Sequence, residues 1–324
     1  MKDKNLPNDI KNKSLNELTE LANNIIKNLE VEKDLEKSAN EYQRLIQLSN
    51  IIEKNSLIEK KFQLKKNSIE KLTGIKKRYI SSKDQSSEKN AISVCKKISK
   101  SEILSLSHII SVTNTPSIKF PGISNFIASK FNLEKVHCIN INSGCTGYVD
   151  AIFLAYDIIN SNKKSKVLIV TSDTYSKFIN PNNRSIRPLF SDGATASIIT
   201  YSKKGFKSIE RKNKNIKNTQ KDLIFQDKEI FMNGPAVVSF AIQHVIPELK
   251  MYQNRTKSYF VHQAGNIVHN LIKKNLNDKV FLPKNYHKYG NLVSGSIPFL
   301  IKDNFKEFNK LNNLVLCGFG VGLS

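Results

Sequence analysis

The chain of 324 residues lacks tryptophan, has only four cysteines and contains no uninterrupted run of about 18 apolar residues. Without such a run the sequence predicts no membrane-spanning helix, and residues 1–5 lack the apolar core of a signal peptide. Four cysteines without an export signal argue against a disulfide-stabilised fold. We therefore expect a cytoplasmic protein whose cysteines stay reduced.

Acidic residues are scarce relative to basic ones. The chain has 28 Asp and Glu against 51 Lys and Arg, and its formal net charge at pH 7 is +23. Lysine is spread through almost every segment, however, and neither an aromatic RNA-binding signature nor a zinc-finger pattern is present. We therefore expect no nucleic-acid partner. A basic surface would instead complement an acidic protein partner.

Residues 1–73 contain no glycine and only one proline, so they lack the residues that punctuate strands and turns. Ser14 and Glu17 have the spacing of a helix capping box. Apolar residues then recur at helical spacing in two stripes, Leu18, Leu21, Ile25 and Leu29, followed by Leu35, Tyr42, Leu45, Ile46 and Ile52. This pattern predicts a helical hairpin that packs against a core rather than binding a partner.

The remaining chain alternates between β-branched runs and amphipathic segments. Strands are predicted at residues 103–112, 136–141, 167–171 and 194–201, and helices at residues 122–131 and 146–160. A basic connector at residues 203–221 precedes another predicted helix at residues 236–251. This alternation predicts an α/β sandwich, and the length allows two fused halves with a large core.

Cys145 lies between the predicted strand 136–141 and the helix that follows it, flanked by Gly144 and Gly147, which permit a tight turn. The unpaired N–H groups and the dipole at a helix N-terminus favour thiolate over thiol. We therefore expect a lowered thiol pKa and a good nucleophile. Taken alone, the pattern is more typical of a small buried apolar cysteine.

Two later segments each place a polar residue at the mouth of an element. His262 ends a predicted strand before a helix at residues 267–276, and Asn291 lies in a turn bracketed by Gly290 and Gly295. Taken singly, His262 is typical of a hydrogen-bonded core histidine and Asn291 of a turn residue. Their order after Cys145 favours a catalytic set instead.

With these segments in view, the chain resembles the ketoacyl-acyl carrier protein synthase III family, the condensing enzymes of the thiolase fold. The match covers about residues 56–324, and its segments follow in the family's order. They are Thr73-Gly74-Ile75-Lys76-Lys77-Arg78, the turn around Cys145, Phe190-Ser191-Asp192-Gly193-Ala194, the stretches around His262 and Asn291, and Gly318-Phe319-Gly320-Val321-Gly322. Ser191 replaces a glycine of the family's pattern, and we expect Asp192 to be a structural turn acceptor.

The resemblance implies an α/β fold, a thiolase-like layered sandwich of two related halves. Residues 74–203 would form the half that carries Cys145, and residues 204–324 the half that carries His262 and Asn291. Residues 1–73 would be an atypical helical N-terminal region. Because the family adds a strand after the glycine-rich loop, we expect incomplete sheet edges covered by the N-terminal helices or another subunit.

For the chemistry, the resemblance implies that Cys145 accepts an acyl group from a thioester. His262 and Asn291 would stabilise the enolate that forms when a malonyl extender loses carbon dioxide. The backbone N–H of Cys145 and one from the loop of Gly320 and Val321 would form an oxyanion hole. No metal and no permanently bound cofactor is implied, since acyl-CoA or acyl-carrier thioesters are the substrates.

The implied partners are an acyl carrier protein and a second copy of the chain, as a homodimer. Lys273 and Lys274, on the helix after His262, match basic positions that receive the carrier in the family, although a solvated helical face explains them equally well. The family's tryptophan and arginine, which sandwich the adenine of coenzyme A, align with Ser68 and Leu72. The sequence therefore predicts that carrier thioesters are better donors than coenzyme A thioesters.

Two other functions stay open at this point. The first is an acyltransferase of the same fold that passes the acyl group to an alcohol or amine without decarboxylation. The second is a non-catalytic scaffold that binds a partner. The length of the acyl primer is not predicted, because the sequence does not give the direction of the side chains that line a tunnel.

Overall fold

The computed structural model describes residues 50–203, 205, 208–227, 229–308, 311 and 313–323. The helical hairpin predicted between Ser14 and Ile46 lies outside the described residues. The chain divides into two compact units, Met1–Ile52 and Glu53–Ser324. All elements below belong to the second unit, apart from the first residues of strand β1. The predicted division at residues 73 and 203 stays a prediction.

Strands and helices alternate through most of the second unit. The strands are β1 (Asn50–Lys54), β2 (Lys77–Ser81), β3 (His108–Val112), β4 (His137–Ile141), β5 (Lys166–Asp173), β6 (Gly193–Thr200), β7 (Leu223–Gln226), β8 (Glu229–Met232), β9 (Tyr259–Val261) and β10 (Val315–Cys317). The helices are α1 (Asn55–Lys61), α2 (Ser68–Thr73), α3 (Ser87–Cys95), α4 (Lys100–Leu104), α5 (Ile123–Lys130), α6 (Gly144–Ser161), α7 (Gly234–Phe240), α8 (Ile246–Met251), α9 (Asn266–Asn275), α10 (Tyr286–Tyr289), α11 (Ser296–Asp303) and α12 (Phe305–Phe308).

A four-stranded sheet with the order β4-β3-β5-β6 forms the centre of the first half. Strand β3 pairs in parallel with β4 and β5, and β6 runs antiparallel to β5. Alternate residues of β5 are buried on opposite faces. Val167 and Ile169 pack with the apolar side of α6, whereas Leu168 and Val170 pack with residues of α3 and α5. The sheet is therefore sandwiched between two helical layers, as the alternating sequence pattern predicts.

The second half is organised around the parallel pair of β9 and β10. Tyr259 and Val261 of β9 are buried together with Ile246 and Leu249 of α8 and Ile272 of α9. This packing leaves His262 directly after β9, and Gly318 directly after β10. No helix in the described part of the chain is long and apolar enough to cross a membrane.

Three predicted elements differ from the structure. The predicted strand at 103–112 begins only at His108, because Ser99 caps the short helix α4 by accepting the backbone N–H of Glu102 at 3.3 Å. The predicted helix at 236–251 is interrupted by a π-helical turn (Ala241–Val245), just before Pro247, which has no N–H to donate. Ile52, placed on a helical stripe, lies in strand β1.

Candidate active site

Three loops meet at the carboxyl edge of the parallel strands. Asn114 follows β3, Cys145 follows β4 and Asp173 ends β5. The register aligns Val112 with Ile141 on one side, so these chains leave the sheet at the same level. In open α/β sheets, ligands bind outside the carboxyl ends of the strands. This edge is therefore the candidate active site.

Cys145 lies in the first turn of α6, as predicted, but its acidity differs from the prediction. Its side chain is only 3% exposed. The pKa of the thiol is raised to about 12, mainly by burial, and the nearby Asp173 carboxylate acts in the same direction. The backbone N–H groups of Val321 and of Cys145 itself act in the opposite direction but do not outweigh burial. The expected lowering of the pKa is therefore wrong, and the resting group is a thiol.

The loop after β10 approaches the start of α6 closely because it contains glycines. A Cβ atom on Gly318 would lie 2.6 Å from the backbone oxygen of Cys145, a position that no side chain tolerates. Gly320 has φ +147°, and a Cβ atom there would lie 3.0 Å from the sulfur of Cys145. This approach brings the backbone N–H of Val321 to the sulfur. The two N–H groups predicted to form an oxyanion hole thus lie at the same sulfur atom.

His262 is placed by the end of β9. Its backbone N–H donates to the carbonyl of Cys317 at 2.9 Å, and its ring packs edge-on against Phe319 at 5.5 Å. Only 4% of the residue is exposed, and burial lowers the pKa of the imidazole to about 3. The ring is therefore neutral near pH 7, with one N–H donor. Its Nδ1 atom is buried and has no hydrogen-bond partner within the described structure.

Asn291 is placed by two backbone bonds to the segment around Phe190. Its N–H donates to the carbonyl of Leu189 at 2.9 Å, and its carbonyl accepts the N–H of Ser191 at 2.8 Å. Its side-chain oxygen accepts the backbone N–H of Val293. With 5% of the residue exposed, Asn291 is as buried as the other two predicted catalytic residues.

An apolar cluster brings these segments to the nucleophile. Cys145 packs in one cluster with Phe190, Val293 and Val321. Phe190 lies in the segment that pairs with Asn291, Val293 follows Asn291, and Val321 belongs to the glycine-rich loop. The hairpin of β7 and β8 contributes Leu223 to the same cluster. His262 joins through Phe319, two residues before Val321. Contacts through neighbouring residues therefore link the segments that carry the three predicted catalytic residues, although these segments lie far apart in the sequence.

Two residues of the other motifs have structural surroundings. Asp192 accepts backbone N–H groups from Ser81 at 2.7 Å and from Ser176 at 2.9 Å, which matches the predicted turn acceptor. Arg78 is buried and pairs with the carboxylate of Glu53. Asp192 therefore joins strand β2 to the segment of Ser176, and Arg78 joins it to Glu53.

The predicted carrier-binding lysines lie elsewhere. Lys273 and Lys274 are exposed in the last turn of α9, and neither forms an ion pair with another described residue.

Cys95, Cys138 and Cys317 are free thiols on α3, β4 and β10, as their apolar or strand character predicts. Across the described ranges, no group of three or more His, Cys, Asp or Glu side chains is placed to hold a metal ion.

Sequence reasoning missed one residue of this site, Asp173. It is fully buried at the end of β5 and lies close enough to Cys145 to influence the thiol. A signal was present, because a carboxylate comes two residues after the apolar run predicted as the strand 167–171. Polar residues at the carboxyl end of a buried parallel strand are a common mark of a site.

Two sequence models of one family match the chain. The model of 3-oxoacyl-[acyl-carrier-protein (ACP)] synthase III matches residues 139–214, which include Cys145. The model of the C-terminal part of that enzyme matches residues 248–324, which include His262 and Asn291. The predicted nucleophile therefore falls within one model of this family, and the other two predicted catalytic residues fall within the model of its C-terminal part.

Individual relatives agree with these matches. The beta-ketoacyl-[acyl-carrier-protein] synthase III of Clostridium novyi is 30% identical, with 65% of this chain and 73% of the relative covered. The beta-ketoacyl-[acyl-carrier-protein] synthase III 2 of Staphylococcus epidermidis is 27% identical, with 65% and 72% covered.

Solved structures share the fold. A 3-oxoacyl-(acyl-carrier-protein) synthase III structure at 2.1 Å superposes with a TM-score of 0.74 at 21% identity, covering 84% of this chain and 93% of the other. The beta-ketoacyl-[acyl carrier protein] synthase III of Thermus thermophilus superposes with a TM-score of 0.74 at 22% identity, covering 84% and 92%. The predicted α/β thiolase-like sandwich is confirmed.

Proposed function

The chain belongs to the 3-oxoacyl-[acyl-carrier-protein] synthase III family, and on this premise we propose that it is an acyl-thioester condensing enzyme with Cys145 as its nucleophile. The observation that carries the proposal is the close approach of the glycine-rich loop to the buried sulfur at the start of α6, which places the backbone N–H groups of Val321 and Cys145 beside it. Such an arrangement stabilises the oxyanion that forms when a thioester carbonyl is attacked.

In the first half-reaction, the sulfur of Cys145 attacks the carbonyl of an acyl thioester. A new carbon–sulfur bond forms to Cys145, and the bond to the departing carrier sulfur breaks. Because the pKa of the buried thiol is about 12, Cys145 is protonated at rest, and its proton ends on the thiol of the departing carrier. The N–H groups of Cys145 and Val321 hold the carbonyl oxygen while it carries negative charge.

In the second half-reaction, a malonyl thioester loses carbon dioxide beside the acylated cysteine. The electrons of the broken carbon–carbon bond pass into an enolate, whose oxygen accepts hydrogen bonds from neutral His262 and from the amide of Asn291. The enolate carbon then attacks the acyl group on Cys145. The carbon–sulfur bond to Cys145 breaks, the 3-oxoacyl product departs as a thioester of the extender's carrier, and the Cys145 thiolate takes up a proton to regain its thiol.

We propose that the acyl donors are thioesters of an acyl carrier protein. Lys273 and Lys274 of this chain would form part of the surface on which the carrier docks. Both lysines are exposed on the helix that begins just after His262, and the net charge of the chain favours an acidic partner.

We also propose a homodimer through β4, which forms an open edge of the central sheet.

Intact-mass measurement tests the function directly. Purified protein is incubated with a panel of acyl-carrier and acyl-CoA donors, with and without malonyl-carrier, and the adduct is located by peptide mapping. We expect an acyl adduct on Cys145 that disappears when malonyl-carrier is added, together with a 3-oxoacyl product. Cys145→Ala should show no adduct, whereas Cys95→Ala should load normally. Loading that is released only by an alcohol or amine would identify a simple acyltransferase, and no loading would reject the proposal.

A further inference from the structure

Asp173 is a buried carboxylate that the reaction proposed above does not use. It ends β5 and is fully buried. Its Oδ1 atom accepts hydrogen bonds from the backbone N–H of Asn114 at 2.9 Å and from the hydroxyls of Thr115 at 3.1 Å and Thr113 at 3.2 Å. Its Oδ2 atom accepts the backbone N–H of Ser294 at 3.3 Å and the Ser294 hydroxyl. One carboxylate thus joins two loops that are distant in sequence.

The loop on the Oδ2 side carries Asn291. Val293, between Asn291 and Ser294, has φ +52°, a left-handed conformation that is an outlier for a β-branched residue. Strained backbone of this kind persists only where the surrounding structure holds it. The bond from the Val293 N–H to Asn291 and the bonds from Ser294 to Asp173 lie on either side of it. Asp173 therefore helps to hold the turn that orients the Asn291 amide.

The loop on the Oδ1 side borders the nucleophile. The Asn114 amide donates to the side-chain oxygen of Asn142, in the turn that leads into Cys145. The side-chain oxygen of Asn114 accepts the hydroxyl of Tyr175 at 3.2 Å. Tyr175 packs with Cys145 in the apolar cluster around the sulfur. The same carboxylate that holds the Asn291 turn thus also holds the surroundings of the thiol.

We propose that Asp173 is a positioning residue that keeps the Asn291 turn in register with the Cys145 loop and thereby sets the rate of decarboxylation. The inference rests on the proposed function. An amide cannot replace this carboxylate, because it offers one acceptor oxygen where Asp173 uses two. The variant Asp173→Asn therefore releases one of the two loops at nearly constant side-chain volume.

The charge of Asp173 can be tested separately, through the pH dependence of Cys145 alkylation. The Asp173 carboxylate is one cause of the raised pKa of the Cys145 thiol. Neutralising it should therefore move the pH profile of Cys145 alkylation to lower pH. Ser294→Ala removes the hydroxyl bond to Asp173 but keeps the backbone N–H bond and the carboxylate, so it weakens the link to the Asn291 turn while its alkylation profile should stay in place. The shift in Asp173→Asn alone would report that the charge of this carboxylate acts on the thiol, whereas the split between acylation and decarboxylation reports the positioning role.

The experiment compares Asp173→Asn, Ser294→Ala and the control Ser172→Ala. Ser172 lies on the same strand and donates its hydroxyl to the backbone carbonyl of Ser87 at 2.7 Å rather than to the Asn291 turn. We expect malonyl-carrier decarboxylation to fall on the order of 10²-fold in Asp173→Asn, the scale of a misplaced catalytic group, and by a smaller factor in Ser294→Ala, which keeps its backbone bond. Acylation of Cys145 should change much less. The iodoacetamide profile should move to lower pH only in Asp173→Asn, and Ser172→Ala should match the wild type.

The result that would overturn the proposal is an equal loss of acylation and decarboxylation in Asp173→Asn, whether or not the alkylation profile moves. If Asp173→Asn does not fold, undiminished decarboxylation in Ser294→Ala overturns it instead. Alkylation by iodoacetamide needs no acyl donor. A wild-type protein that neither loads nor decarboxylates would therefore reject the proposed function, while the Asp173→Asn profile still decides whether this carboxylate governs Cys145.

Discussion

The side-chain oxygen of Asn291 accepts a hydrogen bond of 2.9 Å from the backbone N–H of Val293. This bond occupies the acceptor end of the amide, so the NH2 group is the end available to a substrate carbonyl. Asn291 is thus presented as a donor by its own turn. The arrangement suits an oxygen that gains negative charge, as the enolate of a decarboxylating malonyl group does.

The first prediction concerns this amide. Asn291→Ala should still acylate Cys145 but lose malonyl decarboxylation by a factor on the order of 10²–10³, the usual scale for one oxyanion donor. Single-turnover assays of the two half-reactions measure the difference.

Asn291→Asp is the matched control, because a carboxylate still accepts the Val293 N–H but cannot donate. Decarboxylation should fall in this variant too. If Asn291→Asp kept full decarboxylation, closure of the turn rather than donation would be the function of Asn291.

The second prediction concerns acid stability. Burial lowers the pKa of His262 to about 3, whereas the unfolded chain binds the proton near the ordinary value of 6.5. Because the folded pKa is depressed, stability is fully present above pH 6.5 and is lost as the pH falls toward 3. Between pH 7 and pH 5 this one group should cost about 2 kcal/mol of unfolding free energy.

Urea denaturation at pH 7 and pH 5 measures whether the unfolding free energy falls with pH, as predicted. In His262→Gln the decrease in unfolding free energy between the two pH values should be smaller than in the wild type by about that amount. The variant is expected to start from a lower stability at pH 7, so only the difference between pH values is compared. An unchanged difference would show that His262 is accessible to protons in the folded protein.

The third prediction concerns the carrier surface. Reversing the charge of Lys273 and Lys274 to glutamate should slow acylation from acyl-carrier donors, because steering of an acidic partner is lost. Acylation by the same acyl group on coenzyme A should change little. Reversing the exposed pair Lys163 and Lys164 to glutamate changes the net charge equally and serves as the control. Equal effects of the two reversals would exclude a specific docking surface at α9.

The fourth prediction concerns stability of the Thr-Gly-Ile segment. The buried side chain of Arg78 is 1% exposed and pairs with Glu53, which is 15% exposed and also pairs with Arg187 at 2.5 Å. Glu53→Ala leaves a buried charge without its partner and should cost about 3–5 kcal/mol of unfolding free energy.

Glu70 provides the comparison, because its pair with Lys76 is long, at 3.9 Å, and exposed. Glu70→Ala should cost less than about 1 kcal/mol. Equilibrium denaturation of both variants in urea gives the two values. Similar losses in the two variants would mean that the Arg78 pair is no more important than a surface pair.

Local sequence patterns were enough to locate most elements of the site. The apolar β-branched run before Cys145 forms β4, and the helical spacing after it forms α6. The same reasoning placed His262 at the end of β9. It succeeded because burial on a sheet or helix imposes a period on the sequence. It failed at residues 103–107, where the capping serine Ser99 turns an apolar stretch into helix α4.

Motif order, too, is a property of the sequence alone, and it was sufficient to name the family and to predict Cys145, His262 and Asn291 as its catalytic residues. Motif order did not give the mutual placement of these residues, because that placement depends on contacts between distant segments. The pKa of Cys145 shows this most clearly. A helix N-terminus lowers the pKa of a thiol, but Leu223, Val293 and Val321 enclose the sulfur and the Asp173 carboxylate lies beside it. Desolvation depends on everything that surrounds an atom, so only the folded chain decided that this cysteine rests as a thiol.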